Sequence, residues 1–366
     1  MIITPRFHIG LNLERIQFLL NQGLRKSALA VLCLFSCLRR HGLARAVLRK
    51  SCECWRVKLK KMALIGAPSS VGVNIRGTEL GPDALRIAGL VEALNRRGGL
   101  EVIDRGNING PVSTATEKVD GWRGLDAVVQ WNQLIFNNVL DNLEKDYSPV
   151  LLGGDHSLVI GSISAAAHYA NMQGKKLRVL WFDAHTDANT AAMSPSGNMH
   201  GTPVACLLGH GPEQLTHLAG TRALTKENIF LLGIRSVDEH EKKFVQQLGI
   251  EIFDMRFIDE FGIKQAMQRV LHGVDANTHL HVSFDCDCLD PAIAPGVTTD
   301  VRGGLSYREA QLCMEMICDT GLLGSVDLME LNPARDVRNM TAELLVDLLE
   351  SLLGKSTLVR PYSNFK

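Results

Sequence analysis

No internal repeat, low-complexity tract or Pro/Ser-rich linker interrupts the 305 residues from Met62 to Lys366. That absence excludes repeat arrays and tethered modules, and leaves one large domain with enough chain to bury a substantial core. No apolar run reaches the roughly 20 residues a membrane-spanning helix needs. The nearest, Ala28 to Leu38, is too short, and it follows Arg25 and Lys26, a poor placement for a secretory signal. There is no net charge either, but the zero conceals a division. Residues 1–61 hold 13 Lys or Arg against 2 Glu, and the remainder holds 26 against 37. A basic, acid-poor head of this kind fits a transit segment. Translation from an upstream start also explains it, because Met62-Ala63-Leu64-Ile65-Gly66-Ala67-Pro68 reads as the natural beginning of a first strand. A basic arm with its own role is the third explanation, but the interleaved aromatics of a nucleic-acid-binding arm are missing. We therefore divide the chain into an extension, 1–61, and a catalytic domain, 62–366, with no nucleic acid or membrane as partner.

Paired cysteines are equally scarce. Cys52-Glu53-Cys54 has no second pair nearby, and Cys33 and Cys37 lie in the same basic head. Cys206, Cys286, Cys288, Cys313 and Cys318 fall in apolar patterns, as buried free thiols of a reducing compartment do.

What the domain does contain is alternation. Strand-like runs occur near Ala63–Gly66, Val102–Asp104, Val150–Leu152, Val179–Phe182, Ile229–Gly233, Ile250–Phe253, Leu280–Phe284 and Ser325–Met329. Helical patterns separate most of them, among others Pro82–Arg96, Leu125–Leu143, Ser157–Asn171 and Ser306–Asp319. This order predicts an α/β fold in three layers, with a mainly parallel eight-stranded sheet flanked by helices. Ligands of such sheets bind beyond the carboxyl ends of the strands.

Acidic and imidazole side chains collect at those ends. His156 lies in Gly153-Gly154-Asp155-His156-Ser157, Asp183, His185 and Asp187 in Asp183-Ala184-His185-Thr186-Asp187, and Asp285 and Asp287 in Asp285-Cys286-Asp287. Carboxylates placed just past buried strands are costly unless paired or metal-bound. In an extended segment alternate residues point to one side, so Asp183, His185 and Asp187 converge, as do Asp285 and Asp287. Three such segments predict a two-metal site. An oxygen-rich set with two imidazoles and no thiolate argues against structural zinc and suits manganese best. Cobalt, iron and nickel stay open. Two divalent ions, four carboxylates and one bridging hydroxide leave a charge of about −1, which favours a cationic substrate.

These segments, with Ser196-Gly197-Asn198-Met199-His200-Gly201, Asp285 to Pro291 and Met329-Glu330-Leu331-Asn332-Pro333, resemble the ureohydrolases, and the arginases in particular. The resemblance runs from Met62 to Leu353. It implies one manganese held by His156, Asp183, Asp187 and Asp285, and a second held by Asp183, His185, Asp285 and Asp287. A hydroxide between the two would attack the guanidinium carbon of L-arginine to give urea and L-ornithine. Asp187 would orient it, His200 would shuttle a proton to the leaving amine, and Glu330 would pair with the guanidinium. The family also implies a homo-oligomer, trimer or hexamer, in the cytoplasm, or in mitochondria if the head is a transit segment.

Residues matching the arginases' contacts to the substrate's amino and carboxylate groups are Asn189, Ser194, Ser196, Asn198 and Asp238, with Thr299 near the guanidinium. Neutral donors suit a carboxylate and Asp238 suits an ammonium. Two positions depart from the family pattern: Ser236 stands where many arginases carry an aspartate, and Asp300 replaces a proline and adds a charge. A sister enzyme acting on agmatine or another guanidino acid is the nearest rival. A silent regulatory subunit is a second, but no ligand is missing.

Overall fold

The computed structural model describes residues 60–97, 99–112 and 118–358. Residues 1–59, with the four cysteines of the basic head, lie outside them, and the division at residue 61 remains an expectation. Ten strands form among the described residues: β1 (Lys60–Gly66), β2 (Leu100–Asn107), β3 (Lys118–Val119), β4 (Trp122–Arg123), β5 (Ser148–Leu152), β6 (Lys176–Phe182), β7 (Ile229–Ile234), β8 (Glu251–Asp254), β9 (Thr278–Asp285) and β10 (Leu323–Met329). Eight make one sheet in the order β2-β1-β5-β10-β9-β6-β7-β8. Every neighbouring pair in it is parallel. β3 and β4 form a separate antiparallel hairpin.

The helices are α1 (Gly81–Ile87), α2 (Leu90–Asn95), α3 (Leu125–Glu144), α4 (Val159–Met172), α5 (Pro203–Leu207), α6 (Glu213–Thr216), α7 (Glu239–Leu248), α8 (Met255–Phe261), α9 (Ile263–Val270), α10 (Tyr307–Thr320) and α11 (Met340–Leu352). The single helix expected over Pro82–Arg96 is two, because Gly89 takes φ 81 between α1 and α2, a conformation glycine reaches at little cost. None of these helices is long and apolar enough to cross a membrane.

Strand alternation builds the three layers. Leu180, Phe182, Val282, Phe284, Val326 and Leu328 bury against α1, α2 and α8 to α11. Val179, Trp181, Leu231 and Met329 face α3, α4 and α5 on the other side. Helix α3 shows why it docks: Val128, Trp131, Ile135 and Val139 recur at helical spacing and are buried, on one face.

The sheet order decides where chemistry can occur. β5, β10, β9 and β6 are neighbours at its centre, and being parallel they release the four motif segments at one edge.

Helices α3 and α4 approach closely at Gly161, whose N–H donates to Asn132 Oδ1 at 2.6 Å. A Cβ on Gly161 would lie 2.3 Å from the Asn132 carbonyl oxygen. Gly161→Ala is expected to destabilise the fold by about 1–3 kcal/mol, lowering the denaturant midpoint at constant slope. An unchanged midpoint would mean that the two helices are free to separate.

Candidate metal centre and substrate cleft

Past β5 the chain turns through a short 3-10 segment, His156–Leu158, that places the His156 ring beneath the ends of β6 and β9. Its Nδ1 lies 3.1 Å from an oxygen of each of Asp183, Asp187 and Asp285. On the other side of Asp183, His185 Nδ1 is 3.1 Å from Asp287 Oδ2 and 3.5 Å from Asp183 Oδ1. Two groups of potential ligand atoms result, His156/Asp183/Asp187 and Asp183/His185/Asp287, with Asp183 common to both. Asp285 joins the first group through His156, so the structure brings together all six residues expected from the sequence.

Their convergence is not the work of the pleat, as the spacing implied. β6 ends at Phe182, and Asp187 takes φ 47. Asp287 lies in a one-turn 3-10 helix, Cys286–Cys288, with Asp285 as its N-cap. Each turn is held by a ligand's own carboxylate: His185 N–H donates to Asp183 Oδ1 at 2.7 Å, and Asp287 N–H to Asp285 Oδ1 at 2.8 Å. Such short-range bonds compete with a continued strand, and they send His185 and Asp187 to opposite groups.

The electrostatics call for cations here. Burial alone would strip His156 of a proton, yet the surrounding aspartates more than offset it and raise its proton affinity well above the ordinary value. Burial, and then Asp183, push Asp187 up to about 7. Burial, Asp287 and Asp183 drive Asp285 in the same direction. Two imidazoles cannot neutralise this many carboxylates. His156 Nδ1 is also buried without a hydrogen-bond partner. Donor atoms about 3 Å apart are close enough to share one ion. The residues therefore fit a pair of divalent ions.

His156 is fixed from behind. Its Nε2 lies 3.0 Å from Ser283 Oγ, and its ring stacks on Trp181 at 4.3 Å. Ser283 continues down β9 as a buried polar file: His281 meets Ser325 and Asp327, and His279 meets Ser325, at 2.8–2.9 Å. The sequence reading gave His279 and His281 no role. Their alternation with Leu280, Val282 and Phe284 was the available signal. Arg235 was missed too; its guanidinium donates to the carbonyls of Asp287 and Val301 at 2.7 Å, tying down the turn that bears Asp287.

Glu330 follows β10 with φ 60. Its Oε1 accepts from His156 N–H at 2.8 Å and lies 3.3 Å from His200 Nδ1, while Oε2 is buried without a partner. Burial would raise the Glu330 pKa, but His200 and the His156 N–H hold it below the usual range. Burial likewise opposes a charged His200, and Glu330, Asp187 and Asp155 overcome it to bring His200 up to about 9. The His200 N–H donates to the Gly72 carbonyl at 3.0 Å, and the Gly72 N–H to Asp155 Oδ2 at 2.9 Å.

A cleft opens above these groups. Asn189, Ser194, Ser196, Asn198, His200, Asp238 and Thr299 all line it, as does Ser236. Thr299 also donates to Asp287 Oδ2 at 3.2 Å. Asp300 is absent from the lining and sits 4.0 Å from Arg335. Glu241, overlooked in the sequence, lines the cleft and joins its two ends, accepting from Ala188 N–H at 2.8 Å and Asp238 N–H at 3.4 Å.

Comparison with known proteins agrees with this geometry. Residues 60–354 match the model of the arginase family. The arginase of Bacillus subtilis is 41% identical over 302 residues, covering 82% of this chain and 99% of the relative. That of Brevibacillus brevis is 39% identical over 301 residues, with the same coverage. The crystal structure of Bacillus subtilis arginase superposes with a TM-score of 0.75 at 39% identity, covering 82% of this chain and all of the other.

Ser283→Ala is expected to weaken divalent-metal retention about tenfold, measured by equilibrium dialysis with circular dichroism as a control for folding. Unaltered affinity would show that Ser283 does not orient His156.

Proposed function

Since the chain belongs to the arginase family, we propose that this hydrolase uses two manganese ions to convert L-arginine to L-ornithine and urea. The observation that carries the reading is the pair of ligand groups sharing Asp183, beside a buried Glu330 oxygen with no partner. Manganese accepts the mixed carboxylate and imidazole donors best. His156, Asp183, Asp187 and Asp285 would hold one ion, and Asp183, His185, Asp285 and Asp287 the other. When bound, the ions supply a water acidic enough to serve as nucleophile near neutral pH.

The side chains do the rest. Glu330, ionised and buried, fixes the planar guanidinium through charge-assisted bonds. Asp187 orients the attacking water, receives its proton and helps pass it toward the leaving amine. His200 lines the cleft 3.3 Å from Glu330 and delivers a proton to the departing amine. At the outer end Asp238 and Glu241 receive the α-ammonium, and Asn189, Ser194, Ser196 and Asn198 receive the α-carboxylate. Asp300, turned toward Arg335, leaves this arrangement undisturbed.

The free thiols Cys206, Cys286, Cys288 and Cys313, all buried, support a reducing compartment and hence the cytoplasm. A trimer or hexamer follows from the family resemblance alone.

Full-length protein loaded with manganese is expected to release urea from L-arginine in strong preference to agmatine; the reverse preference would pass the chain to the agmatine-hydrolysing alternative. Glu330→Gln is expected to lower kcat/KM about 30-fold or more while manganese content stays at the wild-type level. Loss of metal instead would assign Glu330 to the metal ligands.

A further inference from the structure

The β3–β4 hairpin takes no part in the sheet, yet it braces one wall of the cleft at consecutive residues. Lys118 Nζ donates to the Pro195 carbonyl at 2.6 Å and Arg123 Nε to the Ser196 carbonyl at 2.8 Å. The backbone N–H of Arg123 donates to the Gly197 carbonyl at 2.9 Å. Contact is close along its length: a Cβ on Gly197 would lie 2.8 Å from Lys118 Cε, and one on Gly121 would lie 2.9 Å from Ala191 Cβ. The hairpin is itself anchored, because Trp122 is buried in the layer of α3 and α4.

This bracing fixes which groups the wall offers to a ligand. Three carbonyls in a row are turned to the hairpin. Ser194 Oγ accepts from Gly197 N–H at 3.0 Å and Ser196 Oγ from Asn198 N–H at 3.1 Å. With one lone pair so engaged, each hydroxyl still has its hydrogen to donate. The wall becomes a donor surface in a cleft that Asp187, Asp238, Glu241, Asp285 and Asp287 also line. Those carboxylates repel an anionic substrate group, and the ammonium on the Pro195 carbonyl, between Ser194 and Ser196, offsets that repulsion.

We propose that Lys118 and Arg123 are positioning residues that determine substrate choice. They hold the 194–198 wall in its hydrogen-donating form and place positive charge behind it, so that an α-carboxylate is accepted. The proposal rests on the arginine-hydrolase reading and adds to it the residues that distinguish an amino acid from its decarboxylated amine.

The test compares L-ornithine with 1,4-diaminobutane, which lacks only the carboxylate, as ligands of the manganese-loaded full-length chain in calorimetry. Lys118→Met and Arg123→Met are each expected to weaken L-ornithine about fivefold and to leave the diamine within twofold. KM for L-arginine should rise in step while kcat holds, and Lys118→Arg and Arg123→Lys should restore ornithine affinity. Equal weakening of both ligands would reduce the hairpin to a general brace and overturn the proposal, as would no change for either. A wild-type chain that neither hydrolyses L-arginine nor binds L-ornithine would overturn the parent reading, before any variant is made.

Discussion

Four aspartates buried within reach of two imidazoles form the constraint on which the rest of the molecule depends. Ionised carboxylates leave water only when paired, hydrogen-bonded or metal-bound. The fold supplies part of the compensation from backbone N–H groups, those of Ala184, His185 and Asp287 among them. Cations must supply the remainder. Parallel pairing matters because it brings every carboxyl end to one edge, and the central order β5-β10-β9-β6 sets two segments from the first half of the domain beside two from the second. Asp187 and Glu330 hold left-handed backbone conformations, at a cost on the order of 1 kcal/mol or more each for non-glycine residues. They are also the two carboxylates assigned to water and guanidinium.

From that edge outward the cleft sorts charge. Its inner end is anionic and suits a guanidinium. Its outer end is divided between Asp238 with Glu241 on one side and the hydroxyl-bearing wall, backed by Lys118 and Arg123, on the other. Glu241 couples the two regions mechanically, since one of its oxygens holds the backbone after Asp187 and the other the backbone of Asp238. The residues proposed for proton transfer and for substrate placement therefore share a scaffold. His200 illustrates this: its backbone is tied through Gly72 to Asp155, one residue before His156.

Much of this was legible in the sequence. Apolar runs ending in Asp or His marked the strand ends, because a charge next to a buried strand is costly unless it is paired, hydrogen-bonded or metal-bound. The ligands and the cleft-lining residues then followed from motif and resemblance. What escaped depended on three-dimensional closure. Alternation predicted an extended Asp183–Asp187 segment, whereas carboxylate bonds to nearby N–H groups bend it. Gly89 divides a helix whose apolar periodicity runs straight through it. Glu241, Arg235 and the Lys118–Arg123 hairpin act through partners 52 to 77 residues away. No local pattern records such contacts.

The central claim is that the carboxylate surplus holds two cations. Equilibrium binding of manganese to the metal-stripped full-length chain, counted per chain at saturation, tests it most directly. Two tightly bound ions per chain are expected. Saturation at one, with urea release from L-arginine already at its maximum, would contradict the account.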